Sequence, residues 1–469
     1  MEFEERWDNQ RNFAQVVGRY ELMIASGDQV YFDIDELEVI IEHYFEKGSI
    51  DQAINAIQYG LELFNNASVL LLREAQIYAV MGKLSKAIPK LKHLLEIEPS
   101  NDEIYLSLAS VYSQLRDHKN AISNFKLALK NSEDGFRDEI YIDLSLEYQS
   151  SGNWDDAIRT LHTALKSNPE NETACYELAH CYETCDRLGL GIRFFTDFLD
   201  EHPYSFSAWY NLGLIFMKQE DYKKAINALE FCVAIEGEFL PALHDLATAY
   251  FEADEFERAI DIVEDIFRLE PEDANLLTFA GEAYEKMEMP DRALKFYDRA
   301  IQADGLFMEA YLGKAVALEM KDQIEDAVVY LEIAAELDKS GLAQTMLAEC
   351  YAKHGARDKA ENNYKDLTSR LAHYIDGWLS FSDFFGKEGE YSLALECIEK
   401  ALAENPHDGA LLYRKVGYLH ALGHGDQALV LFDYVCASGY KELEELLETY
   451  PEILKDPTFA LRIEEICKT

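Results

Sequence analysis

The residues whose spacing comes nearest to metal-binding chemistry in this 469-residue sequence are Cys175, His180, Cys181 and Cys185. Cys181 and Cys185 stand four apart, which places two side chains on one face of a helix. A closed zinc site needs four convergent ligands. Cys175 instead falls where the sequence elsewhere places large core side chains, so these thiols read as small apolar groups in a packing seam. Gly82-Lys83-Leu84-Ser85 has the Lys and Ser of a phosphate loop but lacks the upstream glycine that wraps backbone amides around phosphate. HExxH, GxSxG and a GxGxxG following a strand pattern are missing, and 88 acidic residues make paired carboxylates uninformative. No catalytic residue, metal ligand or cofactor is therefore expected, and the chain reads as non-enzymatic.

Charge narrows the partners. Lys plus Arg number 43 against 88 Asp plus Glu, a net charge of −45. Such a field repels phosphate backbones and anionic lipid, so nucleic acid and membrane are excluded and basic protein partners are favoured. The opening Met1-Glu2-Phe3-Glu4-Glu5-Arg6-Trp7-Asp8 lacks the basic-then-apolar order of a secretory leader, and no run of 18 apolar residues occurs. Eight cysteines without a CxxC pair suit a reducing compartment. A cytoplasmic location is expected.

The elements that position these residues emerge from internal repetition. A small residue recurs at Ala53, Ala87, Ala121, Ala157, Gly191, Ala225, Ala259, Ala293, Ala327, Ala360, Ala394 and Ala428, almost always 34 residues apart. Nine residues before each stands a large apolar residue: Tyr44, Tyr78, Tyr112, Tyr148, Tyr182, Phe216, Tyr250, Tyr284, Leu318, Tyr351, Phe385 and Leu419. Three before that, a small residue such as Ala75, Ala109, Gly213 or Gly281 allows close helix approach. Two apolar stripes per unit, parted by turns such as Lys47-Gly48-Ser49 and Ser151-Gly152-Asn153, predict two antiparallel helices. One such pair cannot bury both faces, so the units must stack into an α-solenoid.

This pattern resembles the tetratricopeptide repeat (TPR) family, most closely in Trp209-Tyr210-Asn211-Leu212-Gly213-Leu214-Ile215-Phe216 with Ala225 and Leu229. The resemblance implies an all-α, right-handed superhelix of about twelve repeats over residues 34–440. Core side chains are expected around Tyr112, Tyr148, Tyr182 and Tyr250. Gly191, Lys314 and Lys415 depart from the family pattern, so looser packing is expected there. In residues 1–33, Phe13, Val16, Val17, Tyr20, Met23 and Ile24 form the stripe of one capping helix, and Asp33 with Glu36 forms a capping box. Leu443, Leu446, Leu447, Tyr450, Ile453, Leu454, Phe459, Ile463 and Ile466, broken by Pro451 and Pro457, mark residues 441–469 as a degenerate capping half-repeat.

The resemblance also implies a concave groove lined by the first helix of each repeat. A carboxylate clamp for a peptide C-terminus is not expected, because its positions hold Glu38 and Glu42, Leu72 and Gln76, and Leu106 and Ser110. Ile142, Leu146, Tyr176, His180, Tyr210, Leu214, Met217, His244 and Phe251 instead fall on the implied groove as an apolar and aromatic stripe. Exposed apolar patches mark interaction sites. The expected function is a protein-binding scaffold or adaptor whose partner joins basic residues to apolar anchors. The alternatives are a self-assembling structural protein and an accessory subunit regulating an enzyme, with the chain a monomer or a homo-oligomer.

Overall fold

A computed structural model describes residues 2–133, 135, 137–438, 443, 447 and 449–466. Among them every regular element is helical. The chain divides into two compact units, 1–242 and 243–469. The first holds α1 (Glu2–Ser26), then the pairs α2 (Ile34–Glu46) and α3 (Ile50–Leu63), α4 (Ser68–Val80) and α5 (Leu84–Ile97), α6 (Asp102–Gln114) and α7 (His118–Asn131). It continues with α8 (Arg137–Ser150) and α9 (Trp154–Ser167), α10 (Glu172–Thr184) and α11 (Leu188–Glu201), and α12 (Phe206–Lys218) and α13 (Tyr222–Ile235). The unit boundary lies inside α14 (Leu240–Glu252), which α15 (Phe256–Leu269) follows. The second unit continues with the pairs α16 (Ala274–Lys286) and α17 (Pro290–Ala303), α18 (Met308–Met320) and α19 (Ile324–Leu337), and α20 (Leu342–Lys353) and α21 (Arg357–Arg370). Then come α22 (Ile375–Lys387) and α23 (Tyr391–Glu404), α24 (Gly409–Ala421) and α25 (Gly425–Ala437), a 3-10 turn Pro451–Lys455, and α26 (Pro457–Ile466).

One turn closes all twelve pairs. The carbonyl of the recurring large residue accepts a backbone N–H five residues on, from Ser49 to Tyr44 at 2.8 Å through His424 to Leu419 at 2.9 Å. This bond caps orphan carbonyls at the end of the first helix and needs a left-handed residue just before the donor. Glycine supplies that residue at Gly48, Gly82, Gly152, Gly355, Gly389 and Gly423. The other six turns force Arg116, Asp186, Glu220, Asp254, Glu288 and Asp322 to φ between +54° and +60°. A side chain resists that conformation.

Within each pair the recurring small residue is buried, and four residues later the second helix buries a larger one. That column runs Ile57, Leu91, Phe125, Leu161, Phe195, Leu229, Val263, Tyr297, Leu331, Tyr364, Ile398 and Phe432. Its size is matched across the helix contact. A Cβ on Gly281 would stand 2.6 Å from the Tyr297 ring, one on Gly313 would also strike it, and one on Gly213 would stand 2.8 Å from Leu229.

Three expectations about packing are corrected. Gly191 tightens its repeat, since a Cβ there would lie 3.0 Å from Ile215 and 3.1 Å from Tyr182. The Lys314 ammonium sits 4.0 Å over the Tyr330 ring and pairs with Asp298, while Lys415 reaches Glu399 at 2.9 Å; long stems and paired charges fill the places of leucine. Tyr148, Tyr182 and Tyr250 are buried as expected, but Tyr112 is half-buried beneath the Lys92 ammonium.

At the start, Val16, Val17, Tyr20 and Met23 are buried, Ile24 faces solvent, and the Phe13 side chain lies outside the described residues. Glu36 N donates to Asp33 Oδ1 at 2.8 Å and Asp33 N to Glu36 Oε2 at 3.3 Å, completing the capping box. At the far end Ile453, Phe459 and Ile463 pack with Val416 and Phe432, and Tyr450 meets Tyr418 edge-on at 5.5 Å. Leu454 is exposed; Leu446 and the Ile466 side chain lie outside the described residues.

Two substitutions test this packing by denaturant unfolding. Gly to Ala inside a helix ordinarily stabilises by about 1 kcal/mol, but Gly281→Ala is expected to destabilise by about 1–3 kcal/mol through overpacking against Tyr297. Glu220→Gly is expected to stabilise by about 1 kcal/mol by relieving a left-handed side-chain residue.

Candidate functional site

The expected groove residues divide between the two units. In the first unit, α8 carries Ile142 and Leu146, α10 carries Tyr176 and His180, and α12 carries Tyr210, Leu214 and Met217. Helical spacing of four aligns the Tyr176–His180 and Tyr210–Leu214 pairs on their helices. Tyr176, His180 and Leu214 come together with Ala179, Glu183 and Lys218 around a cleft of about 100 Å³. Tyr176 is 57% exposed and Leu146 41% exposed, whereas Ile142, Leu214 and Met217 are half-buried. Tyr210 is drawn into packing, its ring edge-on to Phe239 at 5.1 Å.

Polar contacts run along these helices. Lys218 Nζ reaches Glu183 at 2.7 Å, Gln149 donates to Glu177 at 2.9 Å, and the buried Asn211 donates to the Ser207 carbonyl at 2.7 Å. Asp143 is exposed, yet the protein packed about its carboxyl, and then the charge of Glu139, hold it above its ordinary range. A larger cleft of about 640 Å³ opens at the loops before α10 and α12, where Glu170, Glu172 and Glu201 surround Tyr204 and Phe206. Sequence reasoning missed it, although Pro169 and Pro203 mark both loops.

In the second unit, His244 Nε2 lies 3.1 Å from Glu270 Oε1. Phe251 packs on Phe256 at 5.3 Å and on Phe279 at 5.0 Å. Both residues are half-buried and engaged with neighbours. On α16 the Glu282 side chain is exposed, yet the protein packed about its carboxyl, then the charges of Glu285 and Glu309, push that carboxyl up, with Lys286 opposing. Burial also raises Glu285, which accepts a 2.9 Å hydrogen bond from the Tyr297 hydroxyl. Two carboxyls held above their ordinary range in one acidic cluster favour a cation beside them.

The thiols considered in the sequence do not form one ligand group. Cys175 and Cys181 are buried, and burial raises them to about 11 and about 12; Cys185 is half-buried and His180 exposed. Among the described residues one trio places His, Cys and carboxylate atoms within 4.8 Å of one another: Glu319, Cys350 and His354. Cys350 and His354 show the same spacing of four as Cys181 and Cys185, but Glu319 comes from the preceding repeat, a proximity that linear spacing does not reveal.

Models described as tetratricopeptide repeat match residues 102–134, 142–205, 187–230, 216–282 and 274–305. The chain is a tetratricopeptide repeat protein. Over 271 residues it is 21% identical to tetratricopeptide repeat protein 21B of Xenopus laevis, covering 52% of this chain and 20% of that protein. Over 172 residues it is 25% identical to the TPR repeat-containing protein YpiA of Bacillus subtilis (strain 168), covering 35% of this chain and 41% of that protein. The matched stretches therefore span less than half the length of these relatives. Among solved structures, MamA is 24% identical with a TM-score of 0.31, covering 44% of this chain and 94% of that chain. The Naa15/Naa10 complex bound to HypK-THB is 16% identical with a TM-score of 0.33, covering 85% and 67%. No helix of this TPR protein is long and apolar enough, among the described residues, to cross a membrane.

The acidic cluster of the TPR array gives a pH test with a fixed sign. Because the folded Glu282 and Glu285 carboxyls lie above their ordinary values, the folded state holds more protons than the unfolded state in the range between. Ionisation of these groups opposes folding, and lowering the pH through that range relieves it. Glu282→Gln is expected to raise the thermal midpoint at neutral pH, with a gain that shrinks as the pH falls; thermal melts across the carboxylate range read both.

Proposed function

We propose that the chain is a non-enzymatic scaffold binding a protein segment, with Tyr176, His180 and Leu214 as the centre of the contact and Leu146 of the preceding repeat as a further anchor. The observation that carries this reading is the exposure of Tyr176 at 57% and of Leu146 on α8 at 41%, in a chain with net charge −45. Stacking repeats requires neither feature. Aromatic anchors dominate interface energies, and acidic surroundings speed the encounter with a basic ligand. The partner accordingly combines Lys or Arg with one or two large apolar side chains. Tyr210 acts in this reading as support within the first unit, since its ring already holds Phe239, while His244 and Phe251 of the second unit are engaged with Glu270 and Phe279 and are left out of the contact.

In the same proposal residues 1–33 and 441–469 cover the ends of the array over residues 34–440. Buried Tyr20 at one end and Ile453 and Phe459 at the other support it. Unsatisfied apolar faces at the ends of a repeat array otherwise seek further copies.

Affinity capture from native extract, followed by titration of the captured partner against Tyr176→Ala, tests the site. Truncating the exposed tyrosine is expected to weaken binding at least tenfold, equivalent to about 1.4 kcal/mol or more, with the thermal midpoint nearly unchanged. Tyr210→Ala is expected to lower that midpoint instead. Undiminished binding by folded Tyr176→Ala refutes the site.

A further inference from the structure

We infer that Glu319, Cys350 and His354 form a zinc site in the second unit. Cys350 and His354 stand one turn apart at the end of α20, and Glu319 lies in the last turn of α18 of the preceding repeat. One ligand atom from each falls within 4.8 Å of the other two. His354 Nε2 already lies 3.9 Å from Glu319 Oε2, and Cys350 is only 2% exposed. The turn fixes the histidine backbone: His354 N bonds the Cys350 carbonyl at 3.2 Å, and the following Gly355 and Ala356 bond Ala352 and Tyr351 at 3.2 and 2.9 Å. A mobile loop would not hold a ligand in this way.

The donor set selects the metal. Sulfur, imidazole nitrogen and one carboxylate match a borderline-soft, four-coordinate ion such as Zn²⁺, with water in the fourth position. Calcium and magnesium want a shell of oxygens that a single carboxylate does not supply. In the structure Lys353 Nζ holds Glu319 Oε2 at 3.0 Å. Its side chain is 67% exposed, so the ammonium is free to swing into solvent when the cation takes its place. On binding, the Cys350 sulfur–hydrogen bond gives way to a sulfur–zinc bond and the proton leaves to solvent. The bound ion would tie two successive repeats together through their first helices.

This gives the variants opposite signs. Cobalt(II) titration of the full chain is expected to fill one site per chain and to show thiolate-to-cobalt charge-transfer absorption, which Cys350→Ala abolishes. Zinc affinity, measured by competition with a chromophoric chelator, should fall at least tenfold in His354→Ala and rise in Lys353→Met. Circular dichroism checks that each variant folds. If Cys350→Ala does not fold, His354→Ala and Lys353→Met decide the matter, because both changes lie at or near the surface. Failure of the wild-type chain to take up cobalt or zinc overturns the assignment. So does a charge-transfer band that persists in folded Cys350→Ala, or zinc affinity indifferent to His354→Ala.

Discussion

Two helices of a repeat approach closely only where one of them gives up its side chain. Around Tyr297 that condition is met twice, by Gly281 within the pair and by Gly313 in the next repeat, and the ring fills the space both glycines leave. The Tyr297 hydroxyl then ends on Glu285, so an otherwise buried polar group is satisfied. Other pairs solve the same problem with different sizes, Gly213 against Leu229 for example. This exchange of small for large side chains sets the distance between neighbouring helices. The twelve identical turns set their direction, and everything on the exposed faces inherits both.

Helix positions and pairing were legible in the residues because the spacing of 34 carries a separate physical requirement at each anchor. Ala53 and its successors mark close approach, Tyr44 and its successors supply the capped carbonyl, and Asp33 with Glu36 marks a helix start. Less legible was the column led by Tyr297 and Tyr364. Its members range from valine to tyrosine, so they share no residue type, and the size at each depends on a partner many residues away. The left-handed turn residues were half visible. Glycine announces six of them, while Arg116, Glu220 and the rest look like any charged loop residue.

The candidate site shows the same division. Helical spacing put Tyr176 and His180 on one helix and Leu214 on the first helix of the next repeat, and the three line one cleft. Spacing could not show that Phe239 and Phe279 would claim the rings of Tyr210 and Phe251, because those contacts are made by neighbouring elements. Glu319, Cys350 and His354 were hidden for a related reason, since a ligand set shared between repeats has no local signature. Acidity, by contrast, is visible in composition, and the structure adds that the Glu282 and Glu285 carboxyls are held above their ordinary range, so they release their protons less readily.

A double-mutant cycle on Gly281 and Tyr297 tests most directly whether reciprocal size sets the helix spacing. Stability is measured for the wild type, Gly281→Ala, Tyr297→Leu and the double variant. If the alanine methyl and the ring compete for one space, alanine at 281 is destabilising beside tyrosine and much less so, or even stabilising, beside leucine. The interaction energy between the two sites should then be about 1 kcal/mol or more, well beyond the few tenths seen for independent sites. Additive effects would show that the helices adjust their separation freely, contradicting the packing account.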